Sequence, residues 1–303
     1  MMRRQLLGAL AVAGLAACAG RRVTAPRTRG PLLWLAERGT ARVFVLGVAE
    51  AKNHSWQSAP IERAFAESGH LWLETAPPPA PGDSEAMRKQ EALVAQLGYR
   101  TGRGFYDTLE PAVRDRARAY VVELAIDRSE IEPMQPWLAY YTINGAFWKK
   151  YPPRQEIEYL DQALRTRAQQ AGKVLHYEFP TREDSLRWFA AMSDEVQSQW
   201  VAMLLDFFDD QKRGLNDACD DWMIGEPCAR VIDRMRTRTP ALYAMLQRDR
   251  NVWWARTVRD QLVAGGTHLV VLGMNHLLGP DGVPQQLARI NIAAPEVGGS
   301  PAG

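Results

Sequence analysis

Several things are scarce in this 303-residue chain. Charge of one sign is the first: the formal net charge is +2. Arg3 and Arg4 supply that excess, so the chain from Cys18 onward has as many acidic as basic residues. Such a balance leaves no electrostatic footprint for a nucleic-acid partner. Cysteine is scarce too, at three residues, and none falls in the Cys-x-x-Cys or Cys/His spacing that marks a zinc site. The apolar run near the N-terminus is too short to cross a bilayer. No tandem repeat is present. There is no G-x-S-x-G elbow, no phosphate-binding glycine loop and no dinucleotide fingerprint. What remains is ordinary globular composition, 46% hydrophobic and 24% charged, with ample material for a core.

Residues 1–17 read as a signal peptide and are set apart from fold reasoning. "MMRR" is a positive start, "QLLGALAVAGLAA" is the apolar stretch, and "LAAC" (residues 15–18) resembles the lipobox of bacterial lipoproteins. In that pattern the signal is cut before Cys18, which then carries the lipid; the alternative is a plain secretory signal with an incidental cysteine. "RRQLL" also resembles a twin-arginine signal, which leaves the export route open. Residues 18–30 read as the tether of an anchored protein, with arginines that are solvated or lean on anionic headgroups. Residues 31–292 are expected to form a single domain and 293–303 a flexible tail. The expected location is a bacterial envelope membrane, with the protein lipid-anchored and facing the periplasm. Export permits disulfides, and Cys219 and Cys228, flanking "DDWMIGEP", are expected to bridge; two free buried thiols are the alternative.

Hydrophobic patterning predicts an α/β fold: a central mixed β-sheet flanked by helices, with a long, mostly helical middle segment. "ARVFVLG" and "THLVVLG" are nearly continuous apolar runs, as suits strands buried on both faces. "HLWLE" (residues 70–74) and "GKVLHYE" (residues 172–178) read as further strands. Helices are expected over "APIERAFAESG", over residues 84–97 and 111–125, over 183–212 as one long stripe, and over "RDRNVWWARTVRDQLVAGG". Ten tryptophans would suit sugar stacking, yet Trp188, Trp200 and Trp254 lie on apolar stripes and read as core.

Two strand ends share a pattern. "LGVAE" ends at Glu50 and "LGMNH" at His276, each three residues after a glycine that would let the backbone turn. If the strands are neighbours, Glu50 and His276 converge at the edge where ligands bind in such sheets, and Glu74 joins them. One imidazole and two carboxylates make a workable shell for a divalent ion. Spacing alone favours a plainer reading, with Glu50 and His276 as exposed loop groups and Glu74 as an end-of-strand charge. His54 is a further imidazole near Glu50, while His70, His176 and His268 fall at strand starts and read as core-edge residues. Arg250 and Asn251 open a helix, where they either position a substrate or hold the helix start and an acid in place.

Several segments together resemble the TraB/GumN family, to which the Tiki metalloproteases belong. "PLLWLAERGTARVFVLGVAE" resembles its opening strands and first G-x-x-H motif, and "IERAFAESGHLWLE" the helix and strand ending in its glutamate, here Glu74. "MQPWLAY", "HYEFPTREDSLRWFAAMS", "RDRNVWWARTV" and "LVVLGMNHLLGPDGVPQQLAR" resemble its Pro-Trp, Leu-Glu-Thr, Arg-Asn and second G-x-x-H segments. The resemblance implies an α/β fold and a metal-dependent hydrolase acting on peptide bonds, its ion held by the two motif histidines and the glutamate. Here Gly273 and His276 keep the second motif, but Glu50 stands where the first histidine belongs. The expected ligands are therefore Glu50, Glu74 and His276, with Mn²⁺ or Co²⁺ as the ion. Glu74, His276 and Arg250 are the expected catalytic residues, with Arg250 and Asn251 binding a peptide or envelope-polymer substrate. The alternative is a catalytically inactive binding protein for a peptide or cell-envelope glycan.

Overall fold

The computed structural model describes residues 31–51, 56–80, 82–152, 158–214, 222 and 230–297. Cys18, His54, Cys219 and Cys228 lie outside the described residues, as do the signal, the tether and the last six residues.

In chain order, β1 (Leu33–Arg38), β2 (Ala41–Val48) and the short β3 (Glu50–Ala51) precede α1 (Ala59–Glu67) and β4 (His70–Thr75). The helical stretch holds α2 (Ser84–Leu97), α3 (Phe105–Thr108), α4 (Pro111–Glu123), α5 (Arg128–Ile131) and α6 (Pro136–Lys150). Then come β5 (Glu158–Tyr159), α7 (Leu160–Gln170), β6 (Val174–Phe179), α8 (Arg182–Ala190) and α9 (Asp194–Arg213). The described chain ends with α10 (Arg230–Arg238), α11 (Pro240–Tyr243), a π-helical turn (Ala244–Asp249), α12 (Arg250–Ala264), β7 (Thr267–Gly273), a 3₁₀ turn (Met274–Leu277) and α13 (Val283–Arg289). The fold is α/β.

The chain divides into two compact units, one holding the segments 75–154 and 179–210, the other holding the strands up to Glu74, residues 155–178 and the chain from 211 on. The second unit carries a five-stranded sheet in the order β1-β2-β7-β4-β6. It is mixed: β1 runs antiparallel to β2, while β2–β7 and β7–β4 are parallel. Strand alternation sends Phe44, Leu46, Leu71, Leu73, Leu269 and Val271 to one face, where they pack with Ile61 and Phe65 of α1 and Leu160 and Leu164 of α7. The other face meets α12, whose Trp254, Val258 and Leu262 form the expected stripe and are buried.

The first unit is helical. Its core stacks Phe147 on Phe208 at 3.8 Å and Tyr140 on Trp200 at 4.3 Å. The expected single helix over 183–212 is two. Helix α8 ends at Ala190, and Ser193 Oγ accepts from Val196 N–H to restart the chain as α9. A serine that caps the following helix satisfies orphan donors that apolar periodicity does not register.

Candidate functional site

The second unit brings several strand ends and one helix start together. Glu74 closes β4, Glu178 lies near the end of β6, Gly273 ends β7, and the 3₁₀ turn after it carries His276. Arg250 and Asn251 open α12 as a continuation of the π-helical turn. His276 is buried, and the other three ionisable side chains are mostly so, with exposures of 15% for Glu74, 8% for Glu178, 10% for Arg250 and 4% for His276. The plainer reading of His276 as an exposed loop group is thereby corrected, while Glu74 is the end-of-strand charge it was read as.

Their partners form one network. Gly273 N–H donates to Glu74 Oε1 at 2.7 Å, and Arg250 Nη2 donates to Glu74 Oε2 at 2.7 Å. Arg250 also forks onto Glu178, through Nε to Oε1 at 2.8 Å and Nη2 to Oε2 at 2.5 Å. Trp254 Nε1–H adds a bond to Glu178 Oε2 at 3.2 Å. Asn251 Nδ2 donates to the Asp281 carbonyl at 2.8 Å, which turns its Oδ1 toward His276 Nδ1 at 2.6 Å. An amide oxygen only accepts, so Nδ1 carries the proton. That leaves His276 Nε2, 3.4 Å from Glu74 Oε2, as the atom facing the carboxylate.

Two carboxylates face one guanidinium here. Burial by itself would raise the Glu74 carboxyl; His276, Arg250 and the Gly273 N–H outweigh it and hold Glu74 well below the usual carboxylate range. Burial likewise opposes the charged form of Arg250, and Glu178 and Glu74 more than restore it. Asp161, at the start of α7, feels the same field: burial pushes its carboxyl up against Arg165, and Glu74 adds to the rise. The Asp281 side chain is tied down by Tyr243 Oη at 2.8 Å and Arg289 Nη1 at 2.9 Å. Burial and the bond to Asp281 push the Tyr243 phenol up to about 12.

The donor set can be tested against a divalent ion. With a proton on Nδ1, His276 presents Nε2 to a carboxylate oxygen, and either a second ring proton or a cation between the two atoms satisfies both. The 3.4 Å separation is what two ligands about 2.0–2.1 Å from one ion subtend near the tetrahedral angle. The Asn251 bond to Nδ1–H is the outer contact that orients metal-binding imidazoles. Glu74 Oε2 still has a lone pair beyond the one taken by Arg250. His276 and Glu74 therefore fit an ion as two ligands. Among the described residues no group of three His, Cys, Asp or Glu is placed to hold one. The backbone of Glu50 pairs with Tyr159 across β3 and β5, while its side chain lies outside the description.

Strands β2 and β7 are parallel neighbours, with Gly47 opposite Leu272 and Val48 opposite Gly273. Both glycines matter for closeness rather than for the expected sharp turn. Gly47 lies within β2, and a Cβ there would sit 1.9 Å from the Trp222 ring. Trp222 is fully buried and donates its indole N–H to the Gly47 carbonyl at 3.1 Å. A Cβ on Gly273 would meet Glu74 Oε1 at 3.3 Å.

Sequence reasoning missed Glu178, Asp281 and Trp222. Glu178 did carry a signal, since it is an acid near the end of an apolar strand just as Glu74 is. Asp281 and Trp222 carried none, because contacts across 30 and 175 residues give them their places.

No curated protein and no solved structure matches the chain. A family model does, over residues 32–294, which takes in nearly all of the described residues. The chain belongs to the TraB/PrgY/gumN family.

Proposed function

We propose that the protein is a metal-dependent hydrolase of peptide bonds, exported and held by a lipid on Cys18 to a bacterial envelope membrane with its globular part facing the periplasm. The observation that carries the catalytic reading is the pairing of His276 Nε2 with Glu74 Oε2 at 3.4 Å, with Nδ1–H fixed by Asn251. His276 and Glu74 would hold a divalent ion, Mn²⁺ or Co²⁺, with Glu50 as a third ligand. Such an ion, when bound, polarises a carbonyl and activates water. Asn251 fixes the His276 ring and its tautomer. Arg250 keeps Glu74 ionised and in place, and with Asn251 it would position a substrate and stabilise the negative charge developing on its carbonyl. Glu178 holds Arg250 in turn, and Trp254 holds Glu178.

One observation favours a second reading. Both Glu74 oxygens already have donors, Gly273 N–H and Arg250. A network complete without an ion suits a catalytically inactive protein that binds a peptide or envelope glycan. Residues 19–303 with Cys18 removed separate the two. After Mn²⁺ or Co²⁺ loading, the hydrolase reading expects about one ion per chain and cleavage of peptide substrates that a chelator abolishes. His276→Ala and Glu50→Ala should then retain little metal. Wild type holding no more metal than the variants would sink that reading. A gain of metal and activity in Glu50→His alone would mark a lapsed enzyme.

A further inference from the structure

Three of the five histidines lie outside this network, yet on the strands that build it. His70 starts β4, His268 sits at the start of β7 and His176 near the start of β6. Side chains two residues apart share a strand face. His70, Trp72 and Glu74 therefore line one face of β4, and His176 and Glu178 one face of β6. His70 and His268 are register partners across β4 and β7.

The three rings touch. His70 Nδ1 and His176 Nε2 are 3.0 Å apart, and the His70 ring stacks on His268 at 4.6 Å between centroids. Trp72 stacks on His176 at 4.2 Å and donates its indole N–H to His268 Nδ1 at 3.4 Å. His268 Nε2 bonds the Gly265 carbonyl at 2.9 Å; a carbonyl only accepts, so Nε2 carries the proton and Nδ1 is the acceptor for Trp72. One proton on each ring suffices for every one of these contacts. A proton on His268 Nδ1 would remove the acceptor for Trp72. Protons on both His70 and His176 would set two N–H groups against each other.

We propose that this cluster is a proton-sensitive clasp. Neutral, it fastens β4, β6 and β7 side by side below the ends that deliver Glu74, Glu178 and Gly273; protonated, it loosens them. The clasp works whether or not the site binds an ion.

The surroundings agree. Among the described residues no carboxylate bonds any of the three rings. Lys173, at the start of β6, is engaged with the Ser68 carbonyl, and Glu178, two residues from His176, is held by Arg250. On β2, opposite the start of β7, Arg42 pairs with Glu37 and Glu67. Burial lowers the affinity of His176 for a proton, and His70 and His268 add to this. Burial does the same for His268, with His70 adding and the Gly265 carbonyl opposing. With folded values below the ordinary 6.5, the unfolded chain binds more protons in that range. Stability is then full above about pH 6.5 and falls as the pH drops.

The test uses the full chain. Its Tm at pH 5.5 should lie about 3–6 °C below that at pH 7.5. His176→Phe, which keeps the ring on Trp72 but cannot take a proton, and His268→Gln should each shrink that difference by half or more. If neither variant folds, proton NMR of the wild type decides: at least two histidines should titrate below the ordinary value, with one indole N–H resonance shifting alongside them. Folded variants with an undiminished pH difference, or indole resonances that stay still while the histidines titrate, would overturn the clasp.

Discussion

Arg250 is the residue on which the buried charges depend. It bonds Glu74 and Glu178 at once, and each carboxylate is largely withdrawn from water. Arg250→Met leaves two buried carboxylates without their cation and should cost about 3–5 kcal/mol in urea unfolding. Arg250→Lys should recover only part of that, because an ammonium cannot reproduce the fork onto Glu178. A second residue-scale prediction concerns Gly47. Gly47→Ala drives a methyl into the Trp222 ring and should destabilise by about 1–3 kcal/mol. In a double-mutant cycle, Trp222→Leu should make room and offset part of the cost; additive losses would mean that the two residues do not interact. Glu74, Arg250, Asn251 and His276 were all legible as strand ends or helix starts, and the fold brings them into one network. Their partners were not, because an imidazole tautomer set by Asn251, or an indole seated on a distant glycine, follows from tertiary packing and leaves no periodic trace in the chain.

At the scale of elements, the apolar runs over 42–48 and 267–273 were sound guides. Strands buried on both faces lose the polar alternation of half-exposed ones, and β2 and β7 are parallel neighbours inside the sheet. A first-turn proline announced the helix at Pro111, whereas at α2 Ser84 is the first helical residue and Asp83, not Ser84, caps it by accepting from Ala86 N–H. The break between α8 and α9 was not legible, since Leu186 and Phe189 continue the apolar stripe of α9 across it. The start of α8 rests on a reciprocal cap in which Thr181 Oγ accepts from Asp184 N–H and Asp184 accepts from Thr181 N–H. Thr181→Ala should therefore cost about 1 kcal/mol, read as a lower urea midpoint at unchanged slope. A change in slope would show instead that the helix end shapes the compactness of the folded or unfolded state.

At the scale of the molecule, the family match over residues 32–294 spans the helical unit as well as the sheet unit, so both are parts of the family's plan. No helix of the described residues is long and apolar enough to cross a membrane; the proposed attachment rests on Cys18 and the lipobox-like "LAAC". The proposed site occupies the sheet unit alone. There the buried carboxylates outnumber the guanidinium by one, and His276 Nε2 aims at the unbalanced charge. The central claim is that His276 and Glu74 share one cation. Calorimetric titration of Co²⁺ into the metal-free protein tests it most directly, with wild type, His276→Ala and Glu74→Gln compared at one pH and one salt concentration. The account predicts saturable binding of one ion per chain by wild type, weakened at least tenfold in both variants. Equal heats in all three proteins, or binding that survives the loss of His276, would contradict it.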